Sequence, residues 1–188
     1  MTLEVRWMKA TGLTRRVDSL GRVVIPKELR KVLRIQEGSP LEIYTDGDEG
    51  IILKKYSPIG GLRSISQSYA ESLAQASGLL VCIADRDEII AAAGRRKKEY
   101  EGKRPSSQLD RIMENRMCGN FSKNDENLIQ ITSDDTCDYY GQTIATIVND
   151  GDCAGAVVMC AGEEKEFQGE VAGKLVKTAA DFLSKQIG

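Results

Sequence analysis

Residues 14–35 read TRRVDSLGRVVIPKELRKVLRI, and the period of the pattern changes inside them. Up to Ile25 the apolar residues alternate, which predicts two short strands about a turn at Asp18–Gly21. Pro26 then suits the first turn of a helix, where its missing N–H is not needed. Leu29, Val32 and Leu33 follow at helical spacing and give that helix one apolar face. The same stretch carries Arg15, Arg16, Arg22, Lys27, Arg30, Lys31 and Arg34 against only Asp18 and Glu28. Beyond it Gly38 ends the unit, and PLEIYT and GIILKK predict a hairpin around Asp46–Gly47. Four short strands and one small helix bury too little surface to be stable alone. With no disulfide or metal to staple them, the economical solution is a dimer sharing one core.

The whole chain has 188 residues and a net charge of −2, but the charge is unevenly spread. Through Tyr56 there are 11 basic and 8 acidic residues; after it there are 15 and 20. A basic patch on an acidic chain points to a polyanionic partner. Arginine strengthens the case, because its planar fork pairs with phosphates and guanine edges. The chain has no histidine, which excludes His-based triads, His general bases and His-containing zinc sites. The cysteines, Cys82, Cys118, Cys137, Cys153 and Cys160, are odd in number and show no C-x-x-C spacing. Their small, apolar surroundings predict buried reduced thiols for most of them. No apolar run approaches the ~18 residues of a membrane span, and no secretory leader is evident, so a cytoplasmic protein is expected.

SPIGG, residues 57–61, separates two styles of sequence. We expect a first domain over residues 8–58, a linker helix over 59–77 and a second domain over 78–188. In LRSISQSYAESLAQA the residues Leu62, Ile65, Tyr69, Leu73 and Ala76 form a narrow helical stripe. That stripe suits a partner helix, so Leu62, Ile65, Tyr69 and Leu73 are candidate oligomerisation residues. GLLVCIADRDEIIAAAG reads as a hairpin with its tip at Asp85–Asp87, RPSSQLDRIMENRM as a helix after Pro105, and NLIQIT as a short strand. TIATIVNDGDCAGAVVMCAGE reads as a hairpin turning at Asn149–Gly151. In the tail, Phe167, Val171, Leu175, Ala179, Phe182 and Ile187 lie on or near one helical face. An antiparallel sheet flanked by helices follows, an α+β domain.

The run KATGLTRRVDSLGRVVIPKELRKVLRIQEGSPLEIYTDGDEGIILKKYSP resembles the swapped-hairpin domain of the AbrB family of bacterial transition-state regulators. Its LGRVVIPKELR core and closing ILKKY carry the likeness, from Lys9 to about Pro58. The second half is similar to a GAF domain, in stretches such as GAVVMCAGE and VKTAADFLSKQ. The resemblance implies an all-β swapped-hairpin barrel, dimeric, joined by a helix to a GAF-like α+β domain. It also implies a transcription regulator of sporulation genes, and no enzyme, that binds double-stranded DNA. Two chains would interleave their hairpins, and the second domain would assist assembly into a homotetramer. The DNA-binding positions it implies are Lys9, Arg15, Arg16, Arg22, Arg30 and Lys31, where Lys31 stands at a position often held by arginine in relatives. No cofactor or metal is expected. A small-molecule effector of the GAF-like half stays open, with no residue to assign to it.

Two other readings compete. AbrB-like barrels also occur in antitoxins, although those chains usually end in a disordered toxin-binding tail where this one continues into a patterned domain. An effector-binding protein without DNA contact leaves the basic segment unexplained. Elsewhere the chemistry is thin. ITSDDTCDYYG groups Asp134, Asp135 and Asp138 without the spacing of a hard-cation loop, and GRRKK at residues 94–98 is a loop that could meet a phosphate.

Overall fold

The computed structural model describes residues 11–33, 35–45, 47, 50–123, 128–136, 138–163 and 167–187. Lys9, Arg34, Asp46 and Cys137 therefore lie outside the described residues. The chain divides into two compact units, Met1–Lys55 and Tyr56–Gly188.

The first unit begins with a tight turn. The Gly21 N–H donates to Asp18 O at 3.0 Å, and Asp18 N–H donates to Arg22 O at 3.0 Å. Gly21 sits at φ +76°, a conformation that a Cβ would strain. Helix α1, Lys27–Val32, follows Pro26. Then come β1, Leu41–Thr45, and β2, Ile51–Lys55, an antiparallel pair in which Ile43 faces Leu53 and Thr45 faces Ile51. The expected strands before Pro26 do not form in this chain: residues 11–25 run without strand pairing apart from the turn. A strand exists only against a ladder partner, and β1 and β2 pair with each other. No barrel closes within one copy of the described unit.

Burial makes the same point. Pro26 is the one buried residue among those described in the first unit. Of fifteen exposed large apolar side chains among the described residues, eleven lie there: Leu13, Val17, Leu20, Val23, Val24, Val32, Leu33, Ile43, Tyr44, Ile51 and Leu53. This unit has the apolar residues of a core without the core.

The second unit has one. Five antiparallel strands lie in the order β4-β3-β7-β6-β5, where β3 is Leu80–Asp85, β4 Ile89–Ala93, β5 Gly119–Ser122, β6 Gly141–Asn149 and β7 Asp152–Ala161. Helices α2, Arg63–Ser77, and α4, Gly169–Ile187, cover one face, with Val81, Ile83, Ile147, Val157 and Met159 beneath them. Helix α3, Ser107–Glu114, helps cover the other, over Cys82, Ile144, Val158 and Cys160. Central strands covered on both sides read as unbroken apolar runs, as LLVCIA does. Among the described residues, no helix is long and apolar enough to cross a membrane.

Two expectations shift. NLIQIT forms no strand in its described residues, apart from one isolated bridge between Thr132 and Pro105. Its backbone is satisfied by side chains instead. Ile129 N–H donates to Gln142 Oε1 at 3.1 Å, Gln130 N–H to Gln108 Oε1 at 2.8 Å, and Ile131 N–H to Asp135 Oδ2 at 2.9 Å. The inward face of α4 keeps Ala179 buried, with Phe167, Leu175, Phe182 and Ile187 packed against the core, but it is wider than expected: Ala172, Val176, Ala180 and Leu183 are buried too, whereas Val171 is exposed.

Candidate nucleic-acid interface

The basic segment is arranged by the turn at Asp18. One carboxylate oxygen, Oδ1, accepts from the N–H groups of Leu20 and Arg22, both at 2.9 Å. The other, Oδ2, accepts from Arg22 Nε at 2.8 Å. These bonds from Arg22, backbone then side chain, hold the Asp18 carboxyl below its ordinary value of 3.8. An Asx-type turn thus ties the backbone and the side chain of one arginine to one carboxylate.

The other predicted cations are placed in the open. Arg15, Arg16, Arg22, Arg30 and Lys31 are all exposed. Arg15 donates to the neighbouring Thr14 carbonyl at 2.9 Å. Arg16, Arg30 and Lys31 make no ion pair among the described residues. Arg30 and Lys31 occupy the last turn of α1, where cations complement the helix dipole. On the hairpin, Lys54 Nζ lies 4.9 Å from the centre of the Tyr44 ring, a cation–π contact not anticipated from the sequence. Cross-strand register offers the signal that could have found it: Tyr44 faces Ile52, so Lys54 stands one diagonal step away on the same side. Asp18 was legible as a turn former, but not as the partner of Arg22.

Of the candidate assembly residues, Leu73 is buried in the core of the second unit. Leu62 and Tyr69 are partly buried against that core, with Tyr69 stacked on Phe182 at 5.0 Å between ring centres. Ile65 remains exposed. The stripe on α2 therefore serves the interior first.

The other motifs take structural roles. Asp135 is buried and accepts from Tyr139 OH at 2.6 Å and Tyr100 OH at 3.2 Å, while the two phenols lie 2.7 Å apart. Burial pushes both phenols up, out of reach of neutral pH. Asp134 pairs with Lys103 Nζ at 2.5 Å. In the GRRKK loop, Arg96 is clamped to Glu99 at 2.8 Å. A cleft of about 210 Å³ lies nearby, with Leu80, Tyr139 and Cys160 in its wall and Arg95, Asp138 and Glu163 also lining it. No cluster of metal-ligating side chains occurs among the described residues. Cys82, Cys153 and Cys160 are buried and outside any disulfide, as expected for most of the cysteines, and Cys118 is exposed.

Comparison with known proteins agrees with both halves. The family profile described as "Stage V sporulation protein T C-terminal, transcription factor" matches residues 61–188. A second profile, "Antidote-toxin recognition MazE, bacterial antitoxin", matches residues 14–60, about a quarter of the chain. The antitoxin alternative is matched over that short stretch. Stage V sporulation protein T of Bacillus subtilis (strain 168) is 46% identical over 180 residues, covering 96% of this chain and 99% of that protein. The transition state regulatory protein AbrB of the same organism is 52% identical over 75 residues, covering 40% of this chain and 77% of its own. Among solved structures, the cofactor-binding GAF domain of the nutrient sensor CodY from Clostridium difficile superposes with a TM-score of 0.51 at 13% identity. That match covers 65% of this chain and 83% of the other, and establishes a GAF-like fold for the second unit. An AbrB-type first unit followed by a GAF-like second unit, matched along nearly its whole length, places the chain in the Stage V sporulation protein T family of transcription factors.

Proposed function

We propose that two copies of this chain complete one N-terminal barrel and bind duplex DNA through Lys9, Arg15, Arg16, Arg22, Arg30 and Lys31 of both. The observation that carries the reading is the coexistence of two unmet needs in the first unit. Among the described residues, eleven large apolar side chains lack cover, and Arg16, Arg30 and Lys31 make no ion pair. A second copy answers the first need and a phosphate backbone the second.

The binding mechanism follows from charge. Each phosphate neutralised by an arginine or lysine releases condensed counterions, so affinity falls steeply with salt. Helix α1 has only six residues, too short for a recognition helix laid along the major groove. Sequence choice then depends on groove shape and DNA flexibility, with few base-edge bonds made by arginine forks. The GAF-like unit joins two such dimers, with Ile65 and Ala76 the exposed members of the α2 stripe and Leu62, Tyr69 and Leu73 supporting it from the packed side. Linked DNA-binding units raise effective concentration at spaced half-sites.

The test is duplex affinity across a salt titration. Arg15→Ala, Arg22→Ala and Arg30→Ala should each weaken binding and reduce the salt slope by about one per DNA-bound chain. Affinity independent of salt, or untouched by all three substitutions, refutes the reading.

A further inference from the structure

We propose that Asp18 is a positioning residue for DNA recognition, holding Arg22 so that the two terminal amino groups of its guanidinium face the duplex together. The inference rests on the interface reading above and adds a carboxylate to a surface otherwise defined by its cations.

The geometry supplies the argument. A guanidinium offers two paired-donor edges, one formed by Nε with a terminal nitrogen and one by the two terminal nitrogens. Asp18 Oδ2 takes the Nε–H of Arg22 at 2.8 Å. The side edge is thereby occupied, and the terminal edge is left for a ligand; neither terminal nitrogen has a partner among the described residues. That edge matches two phosphate oxygens or the O6 and N7 of guanine. The clamp also has a fixed base. Asp18 Oδ1 is held by two backbone N–H groups at 2.9 Å, and the turn is closed by the bonds between Asp18 and Gly21 and between Asp18 and Arg22. The Arg22 side chain is nonetheless 71% exposed, so the clamp orders it without removing it from reach. An arginine already ordered loses less conformational freedom on binding than a free one.

Charge alone predicts the opposite effect. A carboxylate beside a polyanion is repelled, so deleting it should tighten binding. Positioning predicts that deleting it loosens binding. The sign separates the two.

The experiment measures the affinity of the full-length protein for a labelled mixed-sequence duplex by fluorescence anisotropy, for wild type, Asp18→Asn, Arg22→Ala and the double variant. Asparagine keeps the acceptor that closes the turn but loses the charge that holds Nε. Asp18→Asn should weaken binding about 3- to 10-fold in the wild-type background. In the Arg22→Ala background it should change nothing. Asp18→Ser, which keeps a hydroxyl acceptor, should repeat the pattern if the asparagine variant folds poorly. Tighter or unchanged binding by Asp18→Asn overturns the proposal, as does an equal loss with Arg22 absent, which would report damage to the turn. If Arg22→Ala alone leaves affinity unchanged, the interface assignment of Arg22 falls and the proposal with it.

Discussion

Replacing Ile43 with alanine tests whether the first unit shares its core with a second copy. Ile43 is 68% exposed in the single chain, on the same side of the hairpin as Leu41, Ile51 and Leu53. If that face stays open to water, the substitution is a surface change worth less than about 0.5 kcal/mol. If a second copy covers it, the side chain gains most of the roughly 1.5–3 kcal/mol that full burial of an isoleucine supplies. Scaling by the exposed fraction gives about 1–2 kcal/mol per chain, and the two-fold symmetry of a dimer doubles this to about 2–4 kcal/mol. At 1.4 kcal/mol per factor of ten, the opening equilibrium should shift about 30-fold to several-hundred-fold. Hydrogen exchange read peptide by peptide over residues 41–55 of the full chain isolates this unit from the other. Exchange there should speed up by that factor, and wild-type protection should rise with protein concentration, as dimer-linked stability requires. Exchange rates that ignore both the substitution and the concentration would refute the shared core.

Three further outcomes follow from the packing and the charges. Gly155→Ala would place a methyl group 2.1 Å from Ala84 O and 2.5 Å from Ile59 Cδ1, and the carbonyl is fixed by the β3–β7 ladder. The second unit should lose about 3 kcal/mol or more, seen as a drop in its thermal midpoint of about 10 °C; a change under about 2 °C would show that the strands part easily. Tyr139→Phe removes the hydroxyl that donates to Asp135 and lies 2.7 Å from Tyr100, and should cost about 1–3 kcal/mol in chemical denaturation, whereas a loss below about 0.5 kcal/mol would mean the buried network does not hold the unit. Asp18 titrates below 3.8 because its bonds from Arg22 favour the charged form, so its support of the turn is complete above that value and is lost as pH falls through the lowered pKa. NMR titration of the Leu20 and Arg22 amides should show a midpoint below 3.8; a midpoint at or above it would contradict the clamp.

The sequence was most informative where a pattern and its structural partner lie in the same chain. The hairpins at LLVCIADRDEIIAAA and TIATIVNDGDCAGAVVMCA pair with each other's strands, so local turn signals and apolar runs sufficed to find them. Residues 127–132 alternate just as a strand would, because Ile129 and Ile131 turn inward. Alternation records which side chains are buried, and cannot tell whether a backbone bonds to a strand or to Gln142, Gln108 and Asp135. On α4 only Val171 was misplaced, and the alanines that carry much of the inward face were missed: a search for large apolar residues favours Val171 over Ala172 and Ala180, which fit where helix and sheet approach closely. In the basic segment, the cations could be named from composition and spacing. The pairing of Asp18 with Arg22 could not, since a D-x-x-G turn predicts backbone bonds and is silent on a side chain four residues on.

The same residues that fail to form strands in one copy are those that carry Arg15, Arg16 and Arg22. On the proposed reading, folding and DNA binding in the first unit are two uses of one segment, which would link them thermodynamically. If pairing with a second copy is what gives residues 11–25 a ladder, then a duplex that binds only the paired form stabilises the pair, and the pair raises affinity for the duplex by the same factor. Ile43, on the β1 strand and uncharged, then affects DNA affinity through the population of paired chains, whereas Arg22 affects it through the contact itself. The two routes differ in salt dependence. Losing Ile43 lowers affinity with the salt slope intact, because the bound state still neutralises the same phosphates; losing Arg22 lowers affinity and slope together.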